Sequence, residues 1–138
     1  MAIEVDIMDM NKVEWTNIRE KIRQVCYQGG QSMTVTLGEV TPGHTVGPHS
    51  HKYEQMVFIL QGECDFYVDG VPRRLGPGCL MSIPPMVEHY ICAVGEVPML
   101  NMDIFTPKRW QMSRSDWPSS STMNLSSPFW LWFFLAWR

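Results

Sequence analysis

The chain has 138 residues, a formal net charge of −3 at pH 7 and a sequence pI near 5.7. This length favours one domain with a single site. The acidic balance and the absence of a Lys/Arg cluster argue against a nucleic-acid partner.

The N-terminal segment carries Glu4, Asp6 and Asp9, where a secretory signal would need a basic segment followed by an apolar run. A cytoplasmic location is therefore expected. The next segment, "WTNIREKIRQ", is the one plausible helix, with Thr16 or Asn17 as its cap. Tertiary context can equally make it extended.

Short strand-like segments separated by turns dominate from about residue 32 to residue 106. The stretches "LQGE" and "VDGVP" are typical of tight hairpin turns, because Gly62 and Gly70 can adopt the positive φ that such turns need. This pattern predicts an all-β, antiparallel barrel or sandwich with its core at about 32–106.

The composition changes after Arg109. Residues 110–138 comprise a Ser/Pro-rich linker followed by the apolar tail "FWLWFFLAWR". The tail can pack on the barrel or a partner subunit, lie at a membrane interface, or be an aberrant end from altered splicing or a shifted reading frame. A membrane span is not expected, because ten residues are about half of what a helix needs to cross a bilayer. We therefore expect one domain over residues 1–109 and an atypical tail whose structure the sequence does not determine.

The cysteines are even in number but lack CxxC spacing and lie within or beside apolar runs: Cys26, Cys64, Cys79 and Cys92. Reduced, buried thiols are expected rather than disulfides.

The strongest chemical signal is "PHSHKYEQ", in which His49, His51 and Gln55 share the parity of the apolar strand positions that follow. Glu54 has the opposite parity and should point outward. His89, after the proline-rich "SIPPMVEH", is a fourth candidate ligand. His44 is more typical of a loop histidine near the mouth of the site.

These residues resemble the two cupin motifs. Gly43 to Gly62 is similar to the first motif and Gly78 to Ala93 to the second, although Gln55 replaces the usual Glu, and Met86 and Ala93 replace a Gly and an Asn. The resemblance covers about residues 12–109. It implies a cupin double-stranded β-helix, a jelly-roll-like barrel, with one divalent metal ion bound by His49, His51, Gln55 and His89. The sequence does not distinguish among zinc, nickel, manganese and iron as the bound metal. A neutral Gln ligand favours Lewis-acid chemistry over redox chemistry without excluding the latter.

The last strand-like segment, "MLNMDIF", has one apolar face and one face that carries Asn101 and Asp103. If the apolar face packs outward, Asp103 points into the pocket and is suited to proton transfer. The alternative is an edge strand with its polar face in water.

The pattern Asp103-x-Phe105-x-Pro-x-Arg109 resembles the end of a cupin subgroup similar to the pectin-degradation protein KdgF. In that family an Asp, a Phe and an Arg at this spacing line the site, and the activity is conversion of 4,5-unsaturated uronates into linear keto forms. The resemblance implies roles for Asp103 in proton transfer, Arg109 in binding a substrate carboxylate, and Phe105 as an apolar wall.

The resulting expectation is a metal-dependent isomerase or lyase-type cupin acting on a small carboxylate-bearing molecule. An iron-dependent dioxygenase and a non-catalytic ligand-binding cupin remain the alternatives. The outward face formed by Met56, Phe58 and Leu60 is compatible with the homodimer that such cupins often form.

Overall fold

The fold is described by a computed structural model that covers residues 2–109. The predictions for the linker and the aromatic tail, residues 110–138, lie outside the described residues. Nine β-strands make up the described part: β1 (Thr16–Arg19), β2 (Ile22–Tyr27), β3 (Thr34–Val40), β4 (Glu54–Gln61), β5 (Glu63–Val68), β6 (Val71–Leu75), β7 (Leu80–Ile83), β8 (His89–Val94) and β9 (Met99–Thr106). The all-β prediction is confirmed.

The strands form two antiparallel sheets. The larger has the order β1-β2-β3-β9-β4-β7, and the smaller has the order β6-β5-β8. The core lies between the sheets and draws side chains from both: Val40, Val57, Ile59, Ile83 and Met99 from the larger, and Cys64, Phe66 and Ala93 from the smaller. The site described below occupies one end of this space.

Residues 16–27 are extended, so the helical alternative for this segment is wrong. Lys21, at φ 62°, makes the tight turn between β1 and β2. All six residues of β2 then pair with β3, from Ile22 opposite Val40 to Tyr27 opposite Val35. This six-residue ladder with the next strand outweighs the weak helix propensity of a short segment.

The two predicted glycine turns have different outcomes. Asp69 and Gly70 have φ values of 51° and 72° and join β5 to β6 as a two-residue hairpin, as predicted. Gly62 has the expected positive φ of 71°, but it does not close a hairpin. Instead the chain passes there from β4 in the larger sheet to β5 in the smaller. A Cβ at Gly62 would lie 2.8 Å from Cα of Met99, so the crossing requires glycine.

All four cysteines are free thiols, as expected. Cys64 is fully buried, and burial raises the pKa of its thiol to about 12, which makes it unreactive. Over residues 2–109, no helix is long and apolar enough to cross a membrane.

Candidate functional site

The histidines of the two predicted motifs meet at one end of the barrel. His49 lies in the connection between β3 and β4 and forms an isolated antiparallel bridge with His89, the first residue of β8. The two residues exchange backbone hydrogen bonds of 3.1 Å and 2.9 Å. Two residues further on, the carbonyl of His51 accepts a hydrogen bond from the Met86 N–H at 2.7 Å. Both histidine-bearing segments are therefore fixed to each other by backbone contacts.

Gln55 reaches the same place from β4. Its side chain points inward together with Val57 and Ile59, and Glu54 is exposed, as the alternation predicts. The strand does not extend back to the histidines, however, because β4 begins at Glu54. The prediction that His49, His51 and Gln55 lie on one continuous strand is therefore wrong. Their side chains nevertheless converge on one site.

The hydrogen bonds of the imidazoles leave one nitrogen of each ring available. Nδ1 of His49, His51 and His89 lies 2.8, 3.0 and 2.9 Å from the backbone carbonyl oxygens of Gly47, Tyr53 and Val87, respectively. A carbonyl oxygen only accepts, so we assign the hydrogen to Nδ1 in each ring, which donates it. Each Nε2 then keeps its lone pair, as in many histidine metal ligands whose other nitrogen donates to a backbone carbonyl.

The donor set fits a metal ion. One nitrogen from each of His49, His51 and His89 lies within 4.8 Å of the other two. Nε2 of His89 is buried and has no hydrogen-bond partner within residues 2–109, although buried polar atoms normally have one. Nε2 of His51 lies 2.9 Å from Oε1 of Gln55, which places two acceptors face to face. A bound cation would satisfy all three atoms, and this three-histidine cluster can hold one.

Burial keeps these imidazoles neutral, as metal ligation requires. It lowers the pKa of His89 to about 4, against a smaller opposing effect of the Val87 carbonyl. The pKa values of His49 and His51 are also lowered, chiefly by burial.

Asp103 lies on the inward face of β9, which is a central strand between β3 and β4. The edge-strand alternative is therefore wrong. One carboxyl oxygen accepts a 2.8 Å hydrogen bond from the Asn101 amide, and Oδ1 is buried without a partner among the described residues. Burial raises the pKa of Asp103 to about 6, although Gln55, Asn101 and Arg109 act in the opposite direction. A carboxyl with this pKa can accept and return a proton near neutral pH.

Phe105 and Arg109 are brought to the same site. The Phe105 ring meets His51 edge-on at a centroid distance of 5.4 Å. The Arg109 guanidinium carbon lies 5.1 Å from the Phe105 ring centroid and 5.9 Å from that of Tyr53. The Arg109 backbone is anchored by the buried Thr34 hydroxyl, which accepts from its N–H at 2.9 Å and lies 3.0 Å from its carbonyl.

A cavity of about 190 Å³ connects these groups. It is lined by His49, Gln55 and His89 of the predicted metal site, by Asp103, Phe105 and Arg109, and by Asn101 from the polar face of β9. Its lining also includes residues that the sequence did not indicate, among them Arg19, Gln24 and Thr36. Arg19 was missed because it belongs to the segment with a possible helix. Its position depends on the pairing of β1 with β2. His44 lies in the loop between β3 and β4 and also lines the cavity.

Comparison with known proteins gives a consistent picture. The cupin domain family matches residues 36–105, about half of the chain. The solved structure of KdgF from Halomonas sp. superposes with a TM-score of 0.69 at 22% identity, covering 77% of this chain and 96% of that one. At this identity the likeness shows the fold.

Two curated proteins share sequence with the chain over different lengths. Dimethylsulfoniopropionate lyase DddW from Ruegeria pomeroyi is 32% identical over 59 residues, which are 43% of this chain and 39% of that protein. Acireductone dioxygenase from Bacillus pumilus is 25% identical over 125 residues, covering 80% of this chain and 71% of that protein. The chain spans less than half the length of the first curated relatives it matches.

Proposed function

This chain belongs to the cupin domain family, and we propose that it is a metal-dependent enzyme that isomerises, or opens the ring of, a small carboxylate-bearing, sugar-like molecule. The 4,5-unsaturated uronates converted by KdgF-like cupins are the first substrates to try. The observation that carries the proposal is the inward-facing Asp103 carboxyl, which lines the same cavity as His49, Gln55 and His89 of the candidate metal site.

His49, His51 and His89 would hold a divalent metal through Nε2, with the amide oxygen of Gln55 as a fourth ligand. Such an ion, when bound, supplies Lewis-acid polarisation of a substrate oxygen. The backbone carbonyls of Gly47, Tyr53 and Val87 orient the three rings.

Asp103 would move the proton. Opening the cyclic hemiacetal removes a proton from the anomeric hydroxyl and breaks the bond between the anomeric carbon and the ring oxygen, which leaves as an enolate. Protonation of that enolate on carbon gives the ketone. These two transfers balance, so the reaction needs no oxidant. The free Oδ1 of Asp103 can take up the first proton and deliver the second, while the hydrogen bond from Asn101 to the other oxygen holds the carboxyl in place.

Arg109 would bind the substrate carboxylate. Its guanidinium lies against the rings of Tyr53 and Phe105, with its backbone anchored by Thr34. A planar guanidinium held in this way is suited to a bidentate contact with a carboxylate. Phe105 would form the apolar wall beside His51.

The first test is metal content and turnover of the purified protein. We expect one divalent ion per chain in the wild type and loss of the ion in His49→Ala. Asp103→Asn should keep the metal but lower turnover of a 4,5-unsaturated uronate by about 100-fold or more, because removal of a general acid–base typically costs 10²–10⁴ in rate. The rate is followed by the loss of ultraviolet absorbance of the conjugated double bond.

Two results would contradict the proposal. A wild type that neither contains nor takes up a divalent ion would leave a ligand-binding cupin. An Asp103→Asn variant with wild-type turnover would exclude the proton-transfer role of Asp103.

A second candidate function is that of an iron-dependent dioxygenase, and the observation in its favour is the match to an acireductone dioxygenase over 125 residues. Stoichiometric iron together with substrate-dependent oxygen consumption would identify that activity.

A further inference from the structure

We propose that Arg19 forms a second anion-binding subsite of this cavity, separate from Arg109, and that the preferred substrate therefore carries a second acidic group in addition to the one carboxylate of a simple uronate. This inference rests on the proposed function for the role of Arg109 and extends it to a substrate class, dianionic sugar acids.

The position of Arg19 is set by β1 and by the small residue opposite it. The side chain lines the cavity. Both terminal nitrogens of its guanidinium lie 2.7 Å from the point that a Cβ at Gly47 would occupy, so glycine leaves the room that the guanidinium fills. The carbonyl of Gly47 in turn accepts the hydrogen bond from His49. Arg19 thus lies directly against the loop that carries one of the candidate metal ligands.

Arg19 and Arg109 lie against different parts of the site. Arg109 lies over Phe105, whose ring is in edge contact with His51. Arg19 lies instead against Gly47, whose carbonyl accepts the hydrogen bond from His49. The two guanidinium groups therefore adjoin different histidines of the candidate metal site.

The charges of the two arginines are not compensated by the protein. Within residues 2–109, neither has a carboxylate oxygen within 4.0 Å, whereas Arg23, which also lines the cavity, is paired with Glu39 at 2.8 Å. Asp103 is the one carboxylate among the described residues that line the cavity. Two guanidinium forks beside neutral imidazoles favour a ligand with two negative groups.

The remaining lining narrows the ligand further. The cavity volume is about 190 Å³. Pockets for drug-sized ligands have volumes of roughly 300 Å³ or more, so this cavity fits a smaller molecule. Gln24 and Asn101 also line the cavity, and their amides can bond to substrate hydroxyls. A monosaccharide acid with a second carboxylate or a phosphate combines these features.

The test is isothermal titration of the zinc-loaded protein with three probes. Galacturonate has one acidic group, galactarate adds a second carboxylate, and galacturonate 1-phosphate adds a phosphate. The variant is Arg19→Gln, and the matched control is Arg73→Gln, which removes the same charge from an exposed arginine that lies outside the cavity and bonds to the carbonyls of Val68 and Val71.

We expect the wild type to bind at least one of the two dianions about tenfold more tightly than galacturonate, which corresponds to one charge-assisted contact. Arg19→Gln should abolish that preference while changing galacturonate affinity less than about twofold, and Arg73→Gln should change neither. The dianion that loses affinity identifies the second group as carboxylate or phosphate.

The inference is overturned if the wild type has no preference for either dianion, or if Arg19→Gln weakens all three probes equally or none of them. These outcomes concern binding, so they are independent of the turnover test above. An enzyme active on a uronate whose affinities do not depend on Arg19 would refute the subsite alone. A protein without turnover that still discriminates through Arg19 would refute the catalytic proposal alone.

Discussion

Two threonines on the inward face of β3 provide a sharp test of how Arg109 is held. Thr34 is fully buried, and its hydroxyl accepts from the Arg109 N–H at 2.9 Å and can donate to the Arg109 carbonyl at 3.0 Å. Thr36, two residues along the same strand, is also buried, but its hydroxyl has no hydrogen-bond partner within the described residues. Valine has nearly the shape of threonine, so replacing either residue tests the hydroxyl itself.

The two substitutions should have different signs. Thr34→Val removes the acceptor of the Arg109 N–H and a donor to its carbonyl, and we expect the free energy of unfolding to fall by about 2 kcal/mol, since an unsatisfied buried donor costs about 1–3 kcal/mol. Thr36→Val removes a hydroxyl that was desolvated without compensation, so stability should stay the same or rise by up to about 1 kcal/mol.

Urea unfolding of both variants at one pH measures the difference, and thermal unfolding checks it. At roughly 4 °C per kcal/mol for a domain of this size, Thr34→Val should lower Tm by about 8 °C. The metal-loaded Thr34→Val enzyme should also show a raised KM, because the anchored backbone positions the Arg109 guanidinium. Equal destabilisation by the two substitutions would refute the reasoning, since valine would then be poorly accommodated at both sites regardless of hydrogen bonding. An unchanged Thr34→Val protein would show that Thr34 does not anchor Arg109.

Two further predictions concern a turn and a loop histidine. Met86 has φ 67° and is 68% exposed, so Met86→Gly should relieve left-handed strain of about 1–2 kcal/mol, part of which is offset by the greater freedom of glycine in the unfolded chain. A rise in unfolding free energy of about 0.5–1 kcal/mol is expected in urea, and a fall would contradict it. His44 accepts a hydrogen bond from the Ala93 N–H at 3.2 Å, and burial lowers its pKa from the ordinary 6.5. As the pH falls, the unfolded chain binds the proton first, so the stability linked to neutral His44 is complete above 6.5 and is lost as the pH falls through the lowered folded-state pKa. His44→Gln should therefore flatten the decline of the urea midpoint between about pH 7 and about pH 5, and profiles of equal slope would exclude this linkage.

Several features of the fold could be predicted because their causes are local. The alternation of buried Gln55, Val57 and Ile59 with less buried neighbours marks one face of β4. The Asp69-Gly70 hairpin follows from the positive φ that its two residues tolerate. The spacing of the histidines within the two cupin-like motifs likewise indicated the cluster that the structure brings together.

The errors arose where pairing between distant segments decides the outcome. Gly62 has the predicted conformation, yet whether such a turn closes a hairpin or crosses between sheets depends on which strands lie beside β4 and β5. The alternation of residues in β9 is compatible with an edge strand or a central strand. In the structure β9 lies between β3 and β4, and Asp103 points inward.

By itself, the sequence determined the strand faces, the tight turn at Asp69-Gly70, the resemblance to cupins and the residue types of the candidate metal site. Only the tertiary structure decided that residues 16–27 are extended, that His49 and His51 approach from a loop tied to β8, and that Arg19 shares a cavity with Arg109. The physical reason is that side-chain alternation and φ preferences act within a few residues. A site between two sheets, in contrast, is assembled by hydrogen-bond ladders whose partners are far apart in the chain.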